Sequence, residues 1–343
     1  MADGLLSDMA ARRRVPAGAI LWLALLAGTV ILIAMISLAI GSRPISAGTI
    51  LAAFGSFDAD NFDHQALILF RLPRLEAALL VGGALGLTGM LMQVVIRNPL
   101  AEPQLLGLNS GAALAVVAMS AAGLDAAGVF RPLAAAIGAL TTFAVVLALS
   151  GIGQGGATPL KVTLSGVIVS AFASSITSTL LLIDDQALAD LRFWLAGDLA
   201  GRADAHIAIC ATAIGLAVVA AFLLAPRLAV LSLGDDVARG LGINVKATRI
   251  GAVAIAAVLC GAAVTLSGPI GFIGLIVPHL VRRVIGKGLR LQFAACLIGG
   301  PILLLIADIL ARLLIAPAEI ATGVITGAVG AFFFILIVAR YFR

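Results

Sequence analysis

The stretch RLPRLEAALLVGGALGLTGMLMQVVIRNPLAEPQLLGLNSG, Arg71 to Gly111, decides the fold. Arg71 and Arg74 bracket Pro73, and an apolar run follows of the ~20 residues that cross a bilayer. The run breaks at Arg97-Asn98-Pro99-Leu100-Ala101-Glu102-Pro103, and a second apolar segment begins. Prolines 99 and 103 hold the residue before each in an extended conformation, so this reads as a short shaped loop at the membrane surface, too irregular to face lipid.

Working outward, the whole chain has the same character. Of 343 residues, 62% are hydrophobic and 11% charged, whereas soluble domains carry about 25% charged residues. The composition is that of a polytopic membrane protein. Thirty-eight glycines and only 5% aromatics suit helices that approach closely through small side chains. Cys210, Cys260 and Cys296 each sit in an apolar run without a CxxC or CxxH companion, so neither a disulfide nor a metal site is expected. No cofactor is expected either. The sequence lacks G-x-x-x-x-G-K-[ST], which assigns any nucleotide hydrolysis to another chain, and Gly151 to Gly156 reads as a flexible loop. With no Ser/His/Asp, HExxH or Cys/His constellation, a membrane enzyme is disfavoured.

Residues 1–16 form a polar lead with Arg12, Arg13 and Arg14, and the run from Ala17 to Ile40 is longer than a signal-peptide core and is read as span 1. Nine further apolar runs follow, near 75–96, 105–123, 129–150, 160–183, 205–225, 248–267, 270–285, 292–311 and 322–339. The expected fold is therefore all-α, with ten transmembrane helices over residues 17–343. Placing the N-terminus in the cytoplasm puts fifteen of the 22 Lys and Arg residues inside, Arg97, Arg239, Lys246, Arg249, Arg282 and Arg283 among them, and seven outside. Both termini are then cytoplasmic, and the net charge of +5 reflects inner loops beside lipid, with no pattern for nucleic acid.

A weak internal echo appears at an offset of 179 residues. Gly82, Ala84, Leu87 and Gly89 match Gly261, Ala263, Leu266 and Gly268, and Pro99 matches Pro278. Five spans separate the copies, so spans 2–5 and 7–10 would form an inverted repeat. In span 5, Thr163, Gly166, Ser170, Ser174 and Thr177 make a small polar stripe, either the lining of a translocation path or a close-packing face. The inner segment 226–247 is long enough for short helices, with Asp235 and Asp236 in a first turn and Gly240 and Gly242 as breaks, and suits docking of a cytoplasmic partner. His279 follows Pro278 in GPIGFIGLIVPHLVRR and is read as structural for want of a carboxylate partner.

These residues carry a resemblance. Arg71-Leu72-Pro73-Arg74, the Arg97 to Pro103 loop with Leu106-Gly107, Phe193-Trp194 with Gly197, Leu233-Gly234-Asp235 with Ala238 and Leu241-Gly242, Gly271 to His279, and Ala307-Asp308 with Arg312 resemble the iron-chelate and vitamin B12 uptake permeases of bacterial ABC importers. The segment from Gln154 to Leu199 looks most like the ferric-siderophore members and less like those for cobalamin or haem. One departure lies at Glu319 to Gly323 and Gly330-Ala331-Phe332, where that family usually carries prolines.

The resemblance implies a multi-pass protein of the bacterial inner membrane that pairs with a second permease subunit, identical or paralogous. It implies cytoplasmic ABC ATPase subunits below, a periplasmic substrate-binding protein above, and a ferric siderophore as cargo. It assigns Asn98, Pro99 and Leu100 to a cytoplasmic gate, and Gly234, Asp235, Ala238 and Gly242 to ATPase coupling. From the residues alone Arg312 can pair with Asp308 four positions away, and Arg74 with Glu76 or another acid nearby; the resemblance makes Arg71, Arg74 and Arg312 the landing site of the binding protein. The rival from another class is an ion-coupled secondary carrier, which would need a paired intramembrane acid or a helix broken near mid-span. The spans display neither, since Glu76 and Asp308 lie near outer ends.

Overall fold

The computed structural model describes residues 17–41, 43–124, 130–152, 158–183, 194–200, 204–286, 288–316 and 318–341. The basic lead, Phe193 and parts of the Gln154 to Leu199 segment lie outside them. Helices occupy all ten expected positions. They are α1 (Ala17–Ala39), α4 (Leu72–Ile96), α5 (Leu108–Ala121), α6 (Arg131–Ser150), α7 (Pro159–Ile183), α8 (Asp204–Leu231), α10 (Val245–Ser267), α11 (Ile273–Ile285), α12 (Leu289–Leu313) and α13 (Thr322–Tyr341). Short helices α2 (Ala47–Gly55) and α3 (Phe62–Gln65) and a π-helical turn (Ala66–Arg71) join α1 to α4, and α9 (Asp235–Gly240) joins α8 to α10.

Seven of these helices are long and apolar enough to cross a membrane. Burial ranks them: 83% of the most apolar window of the helix ending at Ile96 is inside the protein, against 6% for α1. The α4 sequence explains its place at the centre, because Gly82, Gly83, Gly86 and Gly89 give it a face with almost no side chains. A Cβ on Gly82 would stand 2.6 Å from the nitrogen of Pro301 in α12, and one on Gly89 would collide with the carbonyl of Gly274 in α11. Lipid chains are as apolar as leucine, so close backbone approach of this kind is what holds membrane helices together.

The echo in the sequence has a counterpart in the packing. Helices α4, α5, α6 and α7 correspond in order to α10, α11, α12 and α13, and each half lends its first helix to the other. α4 packs along α12, and α10 packs along α6. Gly261, the counterpart of Gly82, plays the same part, with its missing Cβ 2.5 Å from the nitrogen of Ala136 in α6.

Two of the ten helices differ from expectation. α5 has 14 residues and α11 has 13, well short of the ~20 that span a bilayer. They hold equivalent places in the two halves, and irregular backbone, 97–107 before α5 and 268–272 before α11, supplies the missing length. The chain thus contains the broken segments that hydropathy did not reveal.

Gly89→Val should lower the midpoint of thermal unfolding in detergent, with overpacking costing about 1–3 kcal/mol or more because backbone is what must move. Gly215→Ala, in α8 with nothing within 4 Å of its added carbon, should be neutral or stabilising by about 0.5–1 kcal/mol.

Candidate functional site

The two irregular segments meet, and one carboxylate joins them. Glu102 is 3% exposed. Its Oε1 accepts the N–H of Phe272 at 3.0 Å, and its Oε2 accepts the N–H groups of Gln104 at 3.0 Å and Leu105 at 3.3 Å. Phe272 opens α11 in the left-handed region, φ 67°, so the carboxylate sits at that helix's N-terminus, where negative charge is favoured. Asn109 of α5 reinforces the junction by donating from Nδ2 to the carbonyl of Ile270 at 2.8 Å. Backbone groups outside helices are tolerated at membrane depth only when protein satisfies them. Glu102 and Asn109 meet that need here.

Asn98, Pro99 and Leu100, expected to form a gate, lie on the same segment. Arg97 ends α4 in the left-handed conformation, φ 56°. Asn98 accepts the N–H of Leu100 on Oδ1 at 2.9 Å, forming an Asx turn that fixes Pro99 between them. Leu100 is half-buried, held between this turn and the anchored Glu102. Deeper in, Gln93 donates to the carbonyl of Gly274 at 3.0 Å and accepts from Arg282 at 2.5 Å, tying α4 to α11 once more.

The stripe on α7 splits. Gly166 packs directly on the backbone of Leu105 and Leu106, Ser170 donates to the carbonyl of Gln104 at 3.3 Å, and Thr177 bonds back to Ala173. Gly166 and Ser170 thus brace the 97–107 segment inside the subunit, while Thr177 bonds within its own helix. Thr163 is half-buried, whereas Ser174 is exposed beside Ser175 and Ser178. The exposed hydroxyls of this helix thus include Ser174, Ser175 and Ser178, with Ser175 bonded back to Ala171 at 2.9 Å.

At the Arg97 end, Asp235 gathers three guanidiniums. Arg97 and Arg249 donate to its Oδ1, the latter at 2.9 Å, and Arg239 stands 3.8 Å from Oδ2. Gly234 (φ 129°) and Gly242 (φ 75°) turn the chain into and out of α9. Ala238, expected on the coupling face, is fully buried, because the side chains that face outward are those one position earlier. Leu233, Val237 and Leu241, at i, i+4 and i+8, are exposed and form an apolar strip.

At the opposite end the three arginines find partners within the subunit. Arg312 is 5% exposed. It donates to the carbonyls of Ser37 at 3.1 Å and Ile40 at 2.7 Å and pairs with Asp308 at 3.1 Å. Arg74 pairs with Asp308 at 2.9 Å and with Glu319 at 2.6 Å, and Thr322 donates to Asp308 at 3.0 Å. Arg71 donates to the carbonyl of Leu38 at 2.6 Å and to that of Arg43. These guanidiniums cap the last carbonyls of α1 and neutralise Asp308 and Glu319. Charge removed from water demands such partners, and all three guanidiniums find them within the subunit. Glu319 and Thr322, where the familiar prolines are missing, complete this network. His279 lies edge-on to Phe333 with ring centres 6.1 Å apart, and its Nε2 is buried without a hydrogen-bond partner.

Sequence reasoning left Glu102 and Gln93 without roles. The available signal was a carboxylate between alanine and proline, and a glutamine in an otherwise apolar helix.

Interlocked halves, each with a short helix at the corresponding place and the irregular segments before them meeting inside the protein, fit a membrane transporter. The chain belongs to the FecCD transport family, whose profile matches residues 29–340. It is 38% identical to the iron(3+)-hydroxamate import system permease FhuB of Bacillus subtilis, over 90% of this chain and 80% of that one. It is also 38% identical to the ferric enterobactin transport permease FepD of Escherichia coli, over 90% and 92%. Among solved structures, an inward-facing metal-chelate type ABC transporter superposes with a TM-score of 0.77 at 28% identity, covering 93% of this chain and 98% of that one.

Asp308→Ala should destabilise the protein by about 3–5 kcal/mol, since it leaves Arg74 and Arg312 buried without their shared acid. Glu102→Ala should cost about 1–3 kcal/mol for each N–H left unpaired. Thermal unfolding in detergent measures both, and limited proteolysis should then cut the variant of Glu102 near residues 98–107.

Proposed function

We propose that this chain is the membrane permease of an ABC importer that carries a ferric siderophore from periplasm to cytoplasm. The observation that carries the reading is the likeness of almost the entire chain to permeases named for iron(3+)-hydroxamate, ferric enterobactin and Fe(3+) dicitrate, at 34–38% identity. A haem cargo is the second reading, favoured by 35% identity to the hemin permease HmuU of Yersinia pestis. The subunit moves cargo by exposing a path and catalyses no reaction of its own.

The Arg97 end faces the cytoplasm of a bacterial inner membrane, both termini on that side, consistent with its excess of Lys and Arg. Segment 226–247 couples to the ATPase subunits through the exposed strip of Leu233, Val237 and Leu241, held in position by Gly234, Asp235, Ala238 and Gly242. Two permease subunits pair so that exposed hydroxyls of α7, Ser174 among them, line the path between them. Asn98, Pro99 and Leu100 close that path at the cytoplasmic end. The binding protein lands at the Arg74 end, on a surface that Arg71, Arg74 and Arg312 shape from beneath while Arg43 reaches solvent.

Reconstitution in liposomes with the ATPase and binding protein encoded beside it tests the reading. ATP should drive uptake of a radiolabelled ferric hydroxamate or catecholate. Accumulation driven by an ion gradient without the ATPase would overturn it. Val237→Asp with Leu241→Asp should weaken ATPase binding about tenfold or more, from the apolar area lost. Leu100→Ser should raise cargo leak in the absence of ATP while thermal stability stays near wild type.

A further inference from the structure

A cavity of about 490 Å³ lies between α4, α6, α7 and α10 at the Arg97 end. Its walls are apolar, formed by Val95, Phe143, Leu147, Val162, Ile250 and Val253, and Arg249 is the single charged residue among them. Arg249 has one terminal nitrogen on Asp235, but its Nε is buried and has no hydrogen-bond partner. A second, more open hollow adjoins the first and shares Arg249 and Ile250 with it, and there the polar lining adds Asp235, Arg239, Asn244 and Lys246. A dry slot thus leads into a polar basin with one charged side chain at the junction.

The charges at the junction do not balance. Asp235 already receives Arg97, Arg239 and Arg249, and Asp236 receives Arg239 alone. Lys246 adds another cation beside them. The pair of hollows therefore fits a molecule with an apolar chain and an anionic head. A ferric chelate does not match, because the slot offers it no polar wall.

We propose that the slot holds an acyl chain of an anionic glycerophospholipid, with its phosphate in the basin against Arg249 and Lys246. Basic pockets between helices at the cytoplasmic side of a membrane protein suit such headgroups. The lipid would stand beside the coupling segment, because Arg249 also holds Asp235. A bound phosphate would draw Arg249 away from that carboxylate and loosen α9 from α10. The proposal rests on the orientation given above, which is read independently by labelling Lys246→Cys with a membrane-impermeant thiol reagent.

The assembled transporter, purified in mild detergent, is exposed to equal amounts of phosphatidylglycerol and phosphatidylethanolamine, and bound lipid is counted by native mass spectrometry. Phosphatidylglycerol should be retained in preference. Lys246→Gln should reduce that preference about fivefold, the worth of one surface cation. Ala144→Trp, which fills the slot, should release both lipids, and Ala254→Phe serves in its place if that variant does not assemble. Equal retention of the two lipids by the wild type would overturn the proposal. So would undiminished retention in both filled variants, or a slot that binds lipid in the isolated permease and none in the transporter, which would assign it to a partner subunit. Displacement of the lipid by inorganic phosphate alone would also overturn it, since the chain would then contribute nothing.

Discussion

Everything in this fold depends on the backbone of α4 lying against that of α12, with Gly82 on Pro301. In water, burying leucines would bring two helices together; in lipid it would not, and the gain must come from dispersion between surfaces that fit. A side chain at Gly82 would hold the helices apart and remove that gain along their length. The second seam, Gly261 on α6, repeats the arrangement in the other half. Because each seam joins one half to the other, the repeat is a single interlocked body rather than two docked bundles.

Interlocking explains why two irregular segments survive at membrane depth. The first helix of each half encloses the break in the other, and α7 covers what remains exposed of the first. Glu102 then completes the satisfaction of the freed amides. One carboxylate bonded to three N–H groups on two segments makes the break before α5 and the break before α11 a single mechanical unit. Any displacement of Leu100 must carry Glu102 or strip it of partners, so the turn at 98–100 and α11 are tied to one motion.

Much of this was legible in the sequence, and the failures have physical causes. Ten apolar runs gave ten helices, and Gly82 with Gly261 pointed to the paired seams, because a position that must admit another backbone can carry no side chain. The half-length of α5 and α11 was hidden, since hydropathy measures only how apolar a segment is, and Gly107 or Ile270 is equally apolar in helix or in irregular chain. The fate of the arginines was hidden for another reason. Arg74 meets Asp308 across 234 positions, and Arg312 meets the end of α1 across more than that. Charge counting grouped them at one end of the helices without saying whether they face solvent. Ala238 was taken as a contact residue from the motif around it, while the exposed spacing of Leu233, Val237 and Leu241 pointed to the face beside it.

The crossed seams also govern how the chain can be made. A ribosome releases α4 long before α12, so the glycine face of α4 enters the bilayer with its partner not yet synthesised. α6 likewise waits for α10. Native contacts of such sequence separation form late, and a half-made chain presents narrow, unfilled grooves to lipid and to neighbouring nascent helices. Premature termination anywhere before Leu313 would leave a product with an open seam, easily recognised by a membrane protease, and assembly of the gate would be among the last events of biogenesis.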